Sequence, residues 1–167
     1  THPDHMAETV RRYSAAGYTW LKYHLSPFEN VFDQTEAMQA VAPPGFRVHY
    51  DFTGGGTDDH MIDLLTRLQE YPIAGCFEDP IDEKDIPGSI ELRKRLRLPL
   101  VRHRAALDCT FEVLMGAGDA YIRGHQLIGD AVRQAGLFAA GNIPFMVQNV
   151  GTTIARALTT HMMAAFP

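Results

Sequence analysis

Cysteine is scarce in this chain, and the two present, Cys76 and Cys109, stand apart in apolar surroundings rather than in a Cys-x-x-Cys pair. They read as buried thiols in a reducing compartment, the cytoplasm. No apolar run approaches the roughly 18 residues a membrane span requires, and the N-terminus lacks the apolar core of a signal peptide, so nothing points to a membrane or to export. Positive charge is not in excess: 15 Lys and Arg against 20 Asp and Glu leave a net charge of −5 with no long like-charged run, which argues against a nucleic-acid partner. Linkers and low-complexity segments are also missing. With 46% hydrophobic and 21% charged residues, the 167 residues have ordinary globular composition and suffice for a sizeable core. The chain opens on Thr1 rather than Met, which reads as a processed, trimmed or partial product.

Periodicity organises the whole length. Short apolar, β-rich runs cover 18–25, 46–53, 73–78, 98–103, 120–127 and 143–150, their starts 22 to 28 residues apart. Helical spacing fills the gaps at 6–16, 31–41, 58–71, 90–96, 110–117, 130–140 and 153–165. Met61, Leu64, Leu65 and Leu68 make the clearest buried stripe. Gly17, Gly45 and Gly141 are placed as helix stops, and Thr57 or Asp58 as a cap. The pattern predicts one α/β domain over 1–167 with about six parallel strands.

The polar residues distinguish an open sheet from a barrel. Central strands of an open sheet bury both faces and read as continuous aliphatic runs. Here nearly every strand closes on a polar group: Lys22 and His24, Asp51, Glu78, His103, His125 and Gln148. Such residues converge at the mouth of a parallel barrel, so the expectation is a TIM-type (β/α) barrel with about six of its eight strands present. Two strands are expected to be missing.

The order of these strand-end residues resembles the barrel domain of the enolase superfamily, in its mandelate racemase and muconate lactonizing branch. Gly17-Tyr-Thr-Trp-Leu-Lys22-Tyr-His24 stands where that family has Lys-x-Lys, and His49-Tyr-Asp51 and Phe77-Glu78-Asp79-Pro80 where it has its first two metal ligands, 27 residues apart. The departures are specific. His24 replaces the second lysine, and Leu98-Pro-Leu-Val-Arg-His103-Arg104 stands where a third carboxylate is expected, so either His103 or Arg104 takes that place. Gly124-His125 and Pro144-Phe-Met-Val-Gln148 stand where the family has an Asp-His dyad on the opposite face. The resemblance further implies that an N-terminal capping domain and the last strand lie outside this chain.

That resemblance implies a metal-assisted removal of a proton next to a carboxylate, in which a Lys or His base works beside Mg2+. Asp51 and Glu78 would be hard oxygen ligands, or else helix caps or ion-pair partners. His103 would complete a set that favours Mn2+ or another transition metal over Mg2+, whereas an inward Arg104 would repel a cation. Lys22 and His24, two residues apart, share a face, and either serves as base unless Lys22 only binds the substrate carboxylate. His125 is a general acid or a structural histidine, and Gln148 and Asn149 carry no proton and would bind substrate hydroxyls.

The remaining motifs read structurally. Gly54-Gly55-Gly56 precedes a helix like a phosphate cradle, yet lacks the Lys-Ser/Thr of a P-loop and reads as a flexible loop. Arg93, Lys94, Arg95 and Arg97 suit a helix C-terminus. The functional expectation is a divalent-metal-dependent lyase that dehydrates a hydroxy acid such as a sugar acid. Its alternatives are a non-catalytic or fragmentary barrel of the same family that self-associates through its open edges, and a racemase or epimerase.

Overall fold

Runs of β-branched and aromatic residues alternating with amphipathic segments leave a parallel sheet covered by helices as the arrangement that buries both. The computed structural model describes residues 2–26, 29–103, 109–124, 128–148 and 151–166, and has that form. The helices are α1 (Pro3–Ala15), α2 (Val31–Gln39), α3 (Asp58–Leu68), α4 (Ile86–Arg95), α5 (Thr110–Met115), α6 (Ile128–Ala140) and α7 (Thr153–Ala165). Between them run β1 (Trp20–His24), β2 (Arg47–Asp51), β3 (Ala74–Glu78), β4 (Leu100–Arg102), β5 (Ala120–Arg123) and β6 (Phe145–Val147). All pairings are parallel, in the order β1-β2-β3-β4-β5-β6, and the sheet curls into a half-barrel.

Strand alternation assigns the two faces. Tyr23, Val48, Tyr50, Phe77 and Leu100 point outward and pack on Met6, Val10, Met38, Leu65 and Leu92 of the helices. Burying each such side chain contributes about 1.5–3 kcal/mol. A second cluster, Tyr121 stacked on Phe138, continues the outer layer. On the inner face, Cys76, Val101 and Ile122 form a small apolar floor. Both cysteines are buried thiols outside any disulfide. Trp20, 50% exposed, shares its face with Lys22 by alternation, as Met146, 44% exposed, does with Gln148.

Three local features differ from the periodicity. α4 starts at Ile86 rather than at 90, because the Asp85 carboxylate accepts from the Gly88 N–H and a proline occupies its first turn. After α6 the left-handed residue is Asn142 (φ 51°), not Gly141. The triple glycine is no cradle: the Gly54 and Gly56 N–H groups donate to the carbonyl oxygens of Asp79 (2.6 Å) and Pro80 (3.1 Å), stitching the loops after β2 and β3 together. A Cβ at Gly56 would lie 2.6 Å from the Pro80 oxygen, so that stitch requires glycine.

Candidate active site and metal centre

Register places the polar groups in two rows. His24, Asp51 and Glu78 are neighbours across β1, β2 and β3 at the rim, with Lys22, His49 and Cys76 one row below. The long Lys22 side chain reaches up, so its Nζ lies 3.0 Å from Asp51 Oδ2, 2.8 Å from Glu78 Oε2 and 3.0 Å from Glu78 Oε1. It also donates to Gln148 Oε1 at 3.1 Å, joining the first and last strands across the mouth. A bulge between β2 and β3 brings the lower row into line, and Trp20 and Arg47 fold over Gly75, where a Cβ would lie 2.4 Å from the indole.

Glu78 is fully buried and the most contacted carboxylate of the site. His103 Nδ1 lies 2.9 Å from its Oε1, and His49 Nε2 lies 2.5 Å from its Oε2. Burial disfavours its charge, but hydrogen bonds from His103, His49 and Lys22 prevail and hold the carboxyl well below the usual range. For Lys22, burial likewise opposes the charge. Hydrogen bonds and charges from Glu78 and Asp51 outweigh it and raise the ammonium pKa above that of a free lysine. Cys76, beside them, is pushed up to about 12 by burial and is not a nucleophile.

The loops fix the carboxylates. Thr53 (φ 56°) donates its N–H to Asp51 Oδ1 at 3.1 Å, leaving Oδ2 to Lys22. Asp79, in the left-handed region at φ 40°, is turned so that its Oδ1 accepts from the His103 N–H at 3.0 Å. Such conformations cost about 1–3 kcal/mol each in non-glycine residues and persist where surrounding bonds over-determine them.

Asp51, Glu78, Lys22, His103 and Gln148 thus share one mouth. His24 stands at the rim, its Nε2 3.9 Å from Asp51 Oδ2 and its side chain 66% exposed. His125, Asn149 and Arg104 lie outside the described residues. The structure adds two groups. His49 is legible as an i−2 partner of Asp51 on the inward face; Asp79 is not, because simple alternation sends it away from Glu78 and only its positive φ brings it back.

The residues fit a divalent cation. Lys22 already presents one positive charge to both Asp51 and Glu78, two carboxylates that face one cationic group across the mouth. Glu78, Asp79 and His103 each offer a ligand atom within 4.8 Å of the others.

Comparison with known proteins agrees with this geometry. A family model described as enolase C-terminal domain-like matches residues 5–109. No curated protein sequence matches significantly. Among solved structures, the chain is similar to a dipeptide epimerase from Enterococcus faecalis V583, with a TM-score of 0.91, 18% identity, and 99% of this chain and 50% of that one covered. It is also similar to a dipeptide epimerase from Cytophaga hutchinsonii complexed with Mg and D-Ala-L-Val (TM-score 0.84, 17% identity, 97% and 46% covered). A third is the 3,6-anhydro-D-galactonate cycloisomerase from Zobellia galactanivorans (TM-score 0.88, 18% identity, 97% and 48% covered). At these identities the likeness shows the fold, and the chain spans about half the length of these structures.

Proposed function

The chain belongs to the enolase C-terminal domain-like family, and from that premise we propose that it is the barrel part of a metal-dependent lyase that removes the proton α to a carboxylate and dehydrates a hydroxy acid such as a sugar acid. A divalent ion, Mg2+ by family or Mn2+ by ligand type, bound at Asp51, Glu78 and His103 would supply positive charge to the substrate carboxylate as it gathers electron density. Lys22 takes the proton, with His24 as the alternative base. Asp51 and Glu78 are what raise the Lys22 pKa; once their charge is balanced, burial remains and lowers it toward a working base. His125 would donate to the leaving hydroxyl, and Gln148 and Asn149 would hold the remaining hydroxyls. A cytoplasmic protein acting on a small molecule is the setting this reading assumes; no described helix is long and apolar enough to cross a membrane.

One observation carries dehydration over epimerisation. Gln148, which accepts from Lys22 Nζ and stands in sequence where the family has the His of its dyad, is an amide that moves no protons. Elimination needs a base on one wall and an acid at the leaving hydroxyl, the role given to His125, whereas inversion needs a second group that returns a proton to the α-carbon from the other wall, which an amide cannot do. Incubating the protein with acid sugars and Mn2+ or Mg2+ in D2O tests this. The expected product is a 2-keto-3-deoxy acid; recovery of inverted, α-deuterated substrate with no keto acid would favour an epimerase instead.

A second reading is supported by β1 and β6 lying at the edges of the described sheet and by exposed Trp20 and Met146 on its inner face. In that reading the chain is a fragmentary barrel whose unpaired edges drive self-association.

A further inference from the structure

We propose that Asp79 is a positioning residue of this site: its carboxylate replaces its own carbonyl in the pairing of β3 with β4 and thereby holds His103 against Glu78. That His103 belongs to the metal site is the reading given above, on which the functional part of this inference rests. Asp79 is 4% exposed and follows Glu78, the last residue of β3.

The hydrogen bonds show where the regular pattern stops. Phe77 and Asp79 donate their N–H groups to the carbonyl oxygens of Pro99 (3.0 Å) and Val101 (3.1 Å) on the β4 side. A residue of an extended strand points its N–H and C=O at the same neighbour, so the Asp79 carbonyl would be the next acceptor, and the His103 N–H its donor. At φ 40° that carbonyl turns to the other side of β3 instead, where it accepts from the Gly54 N–H at 2.6 Å. The His103 N–H is then served by Asp79 Oδ1 at 3.0 Å. One residue thus ties the loop after β2 with its main chain and the end of β4 with its side chain. Pro80, which has no N–H to donate, follows directly.

His103 lies one residue beyond β4, whose three residues end at Arg102, so the strand itself does not fix it. The bond to Asp79 holds its main chain, and its Nδ1 stands 2.9 Å from Glu78 Oε1. Position 79 must therefore combine a left-handed backbone with a side-chain acceptor. Aspartate and asparagine supply both, whereas glycine supplies only the backbone.

Comparing Asp79→Asn with Asp79→Gly tests the assignment, because both suit φ 40° and only Asn keeps an acceptor. Long-range 1H–15N spectra of the metal-free, 15N-histidine-labelled chain, read from carbon-bound ring protons, report the state of each imidazole, and His103→Gln assigns the signal. The His103 nitrogen shifts should coincide in the wild type and Asp79→Asn, and move at least halfway toward those of a free imidazole in Asp79→Gly. Unchanged shifts in Asp79→Gly, or the same displacement in both variants, overturn the proposal. A second measurement needs no variant: in the wild type, coupling through the hydrogen bond should link the His103 amide nitrogen to the Asp79 carboxylate carbon. Coupling to the Asp79 main-chain carbonyl, or to neither carbon, overturns it. With MnCl2, Asp79→Gly should lose roughly tenfold in affinity and Asp79→Asn less than about threefold. Equal losses would make the charge of Asp79, and not its hold on His103, the operative feature, and so overturn the proposal. If the wild type binds no Mn2+, the metal-binding reading falls, and the two spectra still decide whether Asp79 holds His103.

Discussion

Replacing Lys22 with methionine removes the one ammonium that faces both Asp51 and Glu78 while keeping most of the side-chain volume. The two carboxylates, 5% and 0% exposed, then confront each other in the mouth without that counter-charge. Breaking a fully buried pair costs about 3–5 kcal/mol, and because the Lys22 side chain is 34% exposed, solvent screening reduces this to roughly 2–3 kcal/mol. In a domain of this size the midpoint of thermal unfolding should fall by about 4–12 °C. A divalent ion should then take the place of the ammonium, and at a hundredfold excess over its Kd would return about 2.7 kcal/mol. In the wild type the same ion must first displace Lys22, so its stabilising effect should be smaller. Differential scanning fluorimetry near neutral pH, with and without Mn2+ and Mg2+, measures both effects. An unchanged midpoint in the variant, or equal stabilisation of both proteins by metal, would refute the idea that Lys22 and the metal compete for one place.

Glu78 has a folded-state pKa below its unfolded value of about 4.3, so its contribution to stability is present above that value and is lost as the pH falls toward the depressed folded pKa. The urea midpoint should therefore decline below about pH 4 and do so less steeply in Glu78→Gln; parallel declines would count against it. Lys22, raised instead, contributes fully below about pH 10.4, and its contribution is lost only as the pH rises through the folded value. Arg102, on the outer face, bonds Glu112 (2.8 Å), Ser89 Oγ (2.5 Å) and the Glu83 carbonyl (2.6 Å). Arg102→Ala removes the guanidinium that the buried Glu112 carboxylate, Ser89 and the Glu83 carbonyl all accept from and should cost about 3–5 kcal/mol by urea unfolding, with Arg102→Met/Glu112→Leu regaining most of it; a loss under about 1 kcal/mol would refute a stabilising role for this network. Sedimentation should find self-association through β1 and β6, the edges of the described sheet, if the second reading holds; a stable monomer would contradict that reading.

Every strand and helix of the described residues falls on a segment with the matching hydrophobic period, and the convergence of Lys22, Asp51, Glu78 and His103 on one mouth follows from their places at or next to strand ends. Those features were legible because a period of two or 3.6 residues is a property of the local chain. The α4 start and the left-handed Asn142 were not read from that period, because a cap and a positive φ depend on single residues that carry no periodic signal. The crossing of the loops after β2 and β3 consumes the Gly54 and Gly56 N–H groups, which in the sequence resemble an anion cradle. Tertiary structure alone decided which charges meet. Asp79 returns to the site only through its positive φ, and His49 reaches Glu78 only because β2 and β3 pair with a bulge. Lys22 touches Gln148, 126 residues away, because the sheet curls. Sequence assigns a side chain to a face; register and curvature, set by packing of the whole sheet, place it against its partner.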